Sequence, residues 1–157
     1  MIRPAIPEDT EALLAMTAAT GVFKPFEVDT LREVLDSYHE YNRETGDRCF
    51  VIESDGEALG FEYHSLEPMT DRSWMLWWIV VRPDKHGRGL GRQLMAFMEE
   101  DAIKAGARVM FLETSSLPSY EPTRQFYLSV GYEITGQIRD YYAAGDDMVM
   151  FRKPLQG

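Results

Sequence analysis

The sequence predicts a mixed α/β domain of the α+β type, built on a mostly antiparallel central sheet. Three observations support this fold class. The chain has 157 residues and is 45% hydrophobic, which suffices for one ordinary core. Its apolar residues alternate between helical and strand periodicity along the chain. Two strand-like runs are joined by Asp55-Gly56, a pair that is typical of a β-hairpin turn.

The first half of the chain predicts one strand, two helices and three further strands. A proline and two acids at Pro7-Glu8-Asp9 favour a helix start, and Gly21 marks the expected end of this helix. Apolar residues at three- and four-residue spacing predict a second helix from Val28 to about Arg43. The strands are expected at Ile2–Ala5, Cys49–Glu53, Ala58–His64 and Trp74–Arg82.

The second half begins with the most regular helix of the chain, Gly89–Lys104. Its apolar stripe consists of Leu90, Leu94, Phe97, Met98 and Ala102. A strand at Val109–Glu113, a short helix at Thr123–Val130 and strands at Tyr132–Ile138 and Met148–Arg152 follow, with Tyr141 and Tyr142 in the last loop. The predicted order is β-α-α-β-β-β-α-β-α-β-β. Because no repeat or linker interrupts it, we expect one domain over residues 1–157.

The charge balance limits the classes of partner. The chain has 16 basic and 26 acidic side chains, a formal net charge of −10, whereas a protein that coats nucleic acid needs a basic face. The single cysteine, Cys49, cannot form an intramolecular disulfide, and the N-terminus lacks the apolar run of a secretion signal, so we expect a cytoplasmic protein. The longest apolar run, Trp74 to Val81, is too short for the roughly 20 residues of a membrane span. We expect neither a nucleic-acid nor a membrane partner.

The segment from Ile79 to Arg92 carries the strongest functional signal: a strand, a turn, a glycine-rich loop and a helix. Gly87, Gly89 and Gly91 allow sharp bends and a close approach to a ligand, and the first amides of the helix are free to bind an anion. Four cations and one anion give this segment a net charge of +3, from Arg82, Lys85, Arg88, Arg92 and Asp84. This combination suits a pyrophosphate.

Other interpretations of the glycines are weaker. A Rossmann unit expects G-x-G-x-x-G after the first strand of a parallel sheet, and a P-loop expects Gly-Lys-Ser/Thr. Neither pattern occurs, although the glycines would also fit a plain strand-to-helix turn with a solvated basic rim. Three scattered histidines and one cysteine give no zinc pattern, so we expect no metal.

The segment from Arg82 to Arg92 resembles the acetyl-CoA pyrophosphate motif of the GCN5-related N-acetyltransferase (GNAT) family. That motif reads Gln or Arg, two residues, Gly, one residue, Gly or Ala, and the match runs from His86 through Gly89 to Gly91. His86 stands in place of the usual Gln or Arg. A second family signature, a tyrosine four residues before a Gly-aromatic pair, is met by Tyr127 and Gly131-Tyr132. The predicted element order resembles the family's fold over essentially the whole chain.

The resemblance implies a GNAT fold with about seven strands, helices on both faces of the sheet and a splay between the fourth and fifth strands. It implies acetyl-CoA as co-substrate, with its pantetheine arm paired to an open strand edge as an added strand would be. An N–H near Val80 or Val81 could then stabilise the charge that forms on the thioester oxygen. The implied cofactor-binding residues are Ile79, Val80, Val81, His86, Gly87, Arg88, Gly89, Leu90, Gly91, Arg92 and Thr123.

The resemblance also implies two catalytic residues. Tyr127 matches the general acid that protonates the departing thiolate, a role compatible with a phenol pKa of about 10. Glu113, at the end of its strand, is similar in position to the general base of some members. Weaker candidates for the base are Asp146, Asp147 and Glu62, and the deprotonated fraction of the amine could suffice without one.

Acceptor sites in the family are built from the loop between the first two helices, the central strands and the loop before the last strand. The acceptor contacts implied here are Phe23, Phe26, Tyr63, Trp77 and Tyr141. Strand alternation predicts that Trp77 and Trp78 point to opposite faces. Aromatic rings beside carboxylates suit an ammonium group, which favours a small cationic or amino-acid-like amine over a polyanion.

The sequence therefore predicts an N-acetyltransferase that works by direct transfer in a ternary complex. Two alternatives stay open: a non-catalytic acyl-CoA-binding regulatory module, and an acetyltransferase that acts on protein N-termini or lysines. A nucleotide-binding enzyme is a weaker third interpretation. Dimers are common in the family, so a homodimer is a further expectation.

Overall fold

The computed structural model describes residues 1–155, which form a seven-stranded sheet and four α-helices. The sheet order is β1-β2-β3-β4-β5-β7-β6, and neighbouring strands are antiparallel except for the parallel pair β4-β5. The strands are β1 (Ile2–Pro4), β2 (Arg48–Ser54), β3 (Glu57–Leu66), β4 (Ser73–Val81), β5 (Val109–Ser115), β6 (Glu133–Ala143) and β7 (Asp146–Pro154). The helices are α1 (Thr10–Ala19), α2 (Pro25–Ser37), α3 (Leu90–Lys104) and α4 (Glu121–Ser129). The predicted fold class is confirmed.

The two faces of the sheet bury separate apolar clusters. The first cluster joins α1 and α2 to one face, with Leu31, Leu35 and Phe61 fully buried. The second joins α3 and α4 to the opposite face, with Met98 and Met110 fully buried. We call these the α1/α2 face and the α3/α4 face. No helix within residues 1–155 combines the length and apolar character that a membrane span requires.

Two helix starts lie earlier than predicted, in each case with a proline in the first turn. α2 begins at Pro25 rather than Val28, because Pro fits the first turn and the Glu27 carboxylate accepts the Lys24 N–H at 2.8 Å. α4 begins at Glu121 rather than Thr123, with Pro122 in its first turn. Both prolines stand where a helix needs no N–H donor.

Two of the strand-to-strand connections in the sheet are tight hairpins, and one of them corrects a prediction. The predicted Asp55-Gly56 turn is confirmed, since both residues adopt the positive φ angles, 53° and 78°, that a tight hairpin requires. The other hairpin corrects a prediction, because Tyr141 and Tyr142 belong to strand β6 and not to a loop.

Strands β4 and β5 pair only over their first halves. Their register runs from Ser73 opposite Val109 to Leu76 opposite Leu112 and then stops. At that point the pairing of β4 with β3 jumps from Trp78 to Leu76, which leaves Trp77 as an extra residue in a β-bulge. A bulge bends its strand, so the rest of β4 diverges from β5. We call this opening the fork; it confirms the predicted splay between the fourth and fifth strands.

A charged network is buried between the sheet and α3. His64 Nδ1 lies 2.7 Å from a Glu62 oxygen, and its Nε2 lies 3.1 Å from Asp101. His64 and Glu62 are fully buried, and Arg48 closes the network with two hydrogen bonds to Asp101. Burial alone would lower the pKa of His64, but the two carboxylates outweigh it and raise this pKa to about 9. The imidazolium form therefore stabilises the fold.

This network predicts a stability that falls in mild alkali. The stabilisation is complete below the unfolded pKa of about 6.5 and is lost as the pH rises through about 9. We expect the free energy of unfolding to fall by roughly 3 kcal/mol across that interval, measured by urea denaturation. A Glu62→Gln/His64→Gln double variant should lack this pH dependence, and an unchanged slope in that variant would contradict the assignment.

Candidate active site

The open edge of β4 borders the fork. The Arg82 N–H donates to the Leu59 carbonyl at 2.8 Å, and bonded pairs alternate along antiparallel strands. The backbone of Val80 therefore points toward β3, while Ile79 and Val81 present their N–H and C=O groups to the fork. Of the three predicted edge residues, only Ile79 and Val81 can pair with an extended ligand there.

The glycine-rich loop joins the end of β4, which borders the fork, to the start of α3. Gly87 and Gly89 have φ angles of 81° and 76°, with open space where a Cβ would lie. The first helical hydrogen bond runs from the Gln93 N–H to the Gly89 carbonyl, and no side chain caps the helix. The amides of Leu90, Gly91 and Arg92 thus precede the hydrogen-bonded part of α3, as an anion-binding helix start requires.

The third glycine has a packing role beside the predicted contact with a ligand. A Cβ on Gly91 would lie 3.2 Å from the Phe126 ring, so the absent side chain lets α4 pack against α3. Gly91 therefore serves helix packing in addition to any ligand contact of its backbone.

The basic residues between Arg82 and Arg92 are not equally free to bind a ligand. Arg82 is paired with Asp84 and Glu57, at 2.8 and 3.3 Å. The His86 ring donates to the Val81 carbonyl at 2.9 Å, so its side chain braces the loop against β4. Arg88 forms no ion pair within residues 1–155 and is exposed, as is Arg92, whose guanidinium bonds Ser129. The cationic groups that remain for a ligand are those of Lys85, Arg88 and Arg92.

The predicted general acid, Tyr127, lies on α4 in the core of the α3/α4 face. Its side chain is 8% exposed and packs against Phe126, Tyr132 and Phe151. No hydrogen bond of its hydroxyl is found among residues 1–155, and this oxygen is not fully buried, because every fully buried polar side-chain atom there has a partner. Burial raises the pKa of Tyr127, so the phenol stays protonated and can donate.

The predicted general base, Glu113, is the first β5 residue beyond the last pair with β4. Met110 and Leu112 belong to the core of the α3/α4 face, so alternation directs Glu113 to the α1/α2 face. Burial raises the pKa of this half-buried carboxyl, the Tyr142 hydroxyl at 3.2 Å lowers it, and nearby Glu67 raises it. Tyr127 and Glu113 thus lie on opposite faces of the sheet.

The weaker candidates for the base have structural partners. Asp146 accepts a hydrogen bond from Ser115. Asp147 accepts the Asp140 N–H at 2.9 Å and the Gln137 amide at 2.8 Å. Glu62 belongs to the buried network under α3. None of the three presents a free carboxylate to the fork.

The two tryptophans after the bulge lie on the same face, which corrects the prediction. Trp77 donates from its indole to Ser65 at 2.9 Å, while Trp78 packs against Phe23 with ring centroids 5.5 Å apart. Ser65 shares the α1/α2 face with Phe61, and Trp78 packs into the cluster of that face. The extra residue in the bulge interrupts the alternation on which the prediction rested.

The predicted acceptor residues are not all brought together. Trp77, Phe26 and Tyr141 are 46%, 63% and 54% exposed, and Phe23 is half-buried beside Trp78. Tyr63 is 3% exposed, and its hydroxyl bonds Asp47. Tyr63 therefore belongs to the core and not to the accessible surface.

Sequence reasoning missed two side-chain contacts that hold the segment between β5 and α4. Tyr120, between β5 and α4, donates to the Val22 carbonyl at 3.0 Å and so ties this segment to the loop between α1 and α2. Arg124 donates to the carbonyls of Ser115 and Leu117 at 2.6 and 3.0 Å. Thr123, the predicted cofactor contact, lies half-buried next to it. Neither contact has a sequence signal, because each joins segments that the fold alone brings together.

Comparisons with known proteins agree with one another. The sequence model described as the acetyltransferase (GNAT) family matches residues 15–132. A crystal structure of a GNAT-family acetyltransferase from Desulfovibrio desulfuricans is similar with a TM-score of 0.95 and 30% identity, covering 99% of each chain.

Two further relatives are more distant. L-2,4-diaminobutyric acid acetyltransferase of Virgibacillus pantothenticus is 25% identical over 99 residues, which span 61% of this chain and 60% of the relative. The structure of yncA from Salmonella typhimurium with its cofactor acetyl-CoA has a TM-score of 0.78 at 19% identity, covering 100% of this chain and 94% of that one, so its likeness concerns the fold.

The Arg124 contacts predict a measurable loss of stability. Arg124→Gln should lower the free energy of unfolding by about 1 to 3 kcal/mol, because two carbonyls lose charged donors. Arg152, which pairs with Glu133 at the surface, gives the matched control, and Arg152→Gln should cost under about 1 kcal/mol. Equal losses in urea denaturation would contradict the assignment.

Proposed function

We propose that this chain, which belongs to the acetyltransferase (GNAT) family, transfers an acetyl group from acetyl-CoA directly to a primary amine. The observation that carries the proposal is the fork, which opens beside a helix start whose first amides have no side-chain cap. Acetyl-CoA can approach from the α3/α4 face and the amine from the α1/α2 face.

Several features support acetyl-CoA as co-substrate. The open backbone of Ile79 and the N–H of Val81 can pair with the amide groups of the pantetheine arm, while the Val81 carbonyl is held by His86. The amides from Leu90 to Arg92 and the cations of Lys85, Arg88 and Arg92 can hold the pyrophosphate. The local charge favours a polyanion at this position in spite of the net charge of −10.

In this proposal one catalytic candidate, Glu113, accepts a proton and the other, Tyr127, donates one. Glu113 accepts a proton from the attacking amine as its nitrogen bonds to the acetyl carbon. The carbon–sulfur bond breaks, and Tyr127 donates its proton to the departing sulfur. The N–H groups of Ile79 and Val81 can stabilise the negative charge on the thioester oxygen. Solvent returns the proton of Tyr127 and takes that of Glu113.

The acceptor we propose is a small cationic or amino-acid-like amine. The exposed rings of Trp77 and Tyr141 and the neighbouring carboxylates of Glu113 and Glu67 are groups that suit an ammonium group on a compact body. The relative named as a diaminobutyric acid acetyltransferase supports an amino-acid acceptor.

An amine panel with a thiol-release readout tests the activity. We expect free thiol with small diamines and amino acids, and a loss of about 100-fold in kcat for Tyr127→Phe and for Glu113→Gln, with acetyl-CoA affinity unchanged by calorimetry. Binding of acetyl-CoA without thiol release from any amine would instead indicate a non-catalytic module. Release with peptides alone would indicate a protein acetyltransferase.

The glycine loop predicts a loss of affinity that is separate from a loss of stability. Gly89→Ala and Gly145→Ala both place a side chain at positive φ, 76° and 81°, with nothing within 4 Å, so each should cost about 1 kcal/mol of stability. Gly89→Ala alone should weaken acetyl-CoA binding, by about 10-fold or more, because it shifts the amides of α3. Equal affinity in both variants would refute the pyrophosphate site.

A further inference from the structure

We propose that Tyr142 is a positioning residue for the general base, whose hydroxyl donates to the Glu113 carboxylate and holds it ionised at the fork. This inference rests on the proposed function, because it assigns Tyr142 a role through Glu113. It concerns a residue on β6, a strand that does not border the fork.

The contact spans two strand positions of the sheet. The Tyr142 hydroxyl lies 3.2 Å from Glu113 Oε1, although β7 separates β6 from β5. Tyr142 stands opposite Asp147, three positions along β7 from Met150, which pairs with Glu113, so the contact crosses the sheet diagonally. At Tyr142 the backbone departs from the regular β6 ladder.

A bulge of four residues in β6 provides that departure. Ile138 pairs with Met148 and Ala143 with Asp146, so the four residues 139–142 stand opposite Asp147 alone. The Asp147 carboxylate holds the bulge by accepting the Asp140 N–H and the Gln137 side-chain amide. Asp140 adopts a φ of 57°, and its own carboxylate accepts the Gly145 N–H at 2.9 Å. These contacts fix the backbone from which Tyr142 reaches toward β5.

The Tyr142 hydroxyl matters for the protonation of Glu113 because the other surroundings of this carboxyl raise its pKa. Burial and the neighbouring Glu67 both raise the pKa of Glu113, and the Tyr142 hydroxyl is the group that lowers it. Met150, which pairs with Glu113 on β7, and Leu76, which pairs with the preceding Leu112, carry no charge. Burial and the Glu113 charge raise the pKa of Tyr142, so the phenol stays protonated and donates.

The Tyr142→Phe variant removes the donor and keeps the ring. We expect the pKa of Glu113 to rise by about one unit, followed by carboxyl NMR of ¹³C-glutamate-labelled protein, with Glu113→Gln identifying the resonance. The acid limb of kcat/KM against pH should move upward by the same amount, and the rate should recover at higher pH.

A matched control is Tyr41→Phe. Tyr41 also lies beside a glutamate, Glu40, which raises its pKa, but it is exposed in the π-helix Tyr38–Asn42 that continues α2. We expect neither the Glu113 titration nor the pH profile to change in this variant. Asp147→Ala, which releases the bulge, should shift the Glu113 titration in the same direction as Tyr142→Phe.

These outcomes distinguish a failure of the role of Tyr142 from a failure of Glu113 as the general base. An unshifted Glu113 titration in Tyr142→Phe, or a rate that falls equally at every pH, would overturn the role of Tyr142. Full turnover by Glu113→Gln would instead refute the base in the proposed function, whatever the titration shows. A shifted titration together with a shifted acid limb and an inactive Glu113→Gln would support both.

Discussion

The loss of pairing between β4 and β5 is the constraint on which the rest of the site depends. A sheet hydrogen bond satisfies both strands, so a strand edge becomes available to a ligand only where the neighbouring strand leaves it. The extra residue at Trp77 provides this by bending β4 directly after the Leu76–Leu112 pair. The same bulge brings Trp77 and Trp78 to one face, so a single backbone irregularity opens the fork and shapes the surface beside it.

The carboxylates on the two faces of the sheet differ in the number and charge of their partners. On the α3/α4 face, the carboxylates of Glu62 and Asp101 are balanced by the cations of His64 and Arg48 in a closed network, as buried charges require. On the α1/α2 face, Glu113 keeps a single neutral donor, Tyr142, and remains half-buried. In a half-buried carboxylate with few hydrogen-bond partners, the surrounding groups can shift the pKa toward the value that proton transfer needs.

Charge is also distributed unevenly along the chain. The net charge of −10 describes the surface as a whole, while the loop before α3 concentrates cations beside free helix amides. Arg82 is neutralised within the fold by Asp84 and Glu57, so it stabilises the turn. The effective cationic site is smaller than the run of basic residues in the sequence suggests, and it sits where the amides of α3 converge.

The sequence by itself determined the element order, the hairpin at Asp55-Gly56, the regular helix α3 and the glycine-rich helix start, because each depends on local periodicity or on the backbone freedom of particular residues. Only the tertiary structure decided the face of Trp77, the packing role of Gly91 against Phe126 and the contact of Tyr142 with Glu113. A bulge shifts every later side chain to a different face and leaves no periodic signal, and a contact across an intervening strand depends on register. Such features arise from pairing between distant segments, which local sequence patterns do not encode.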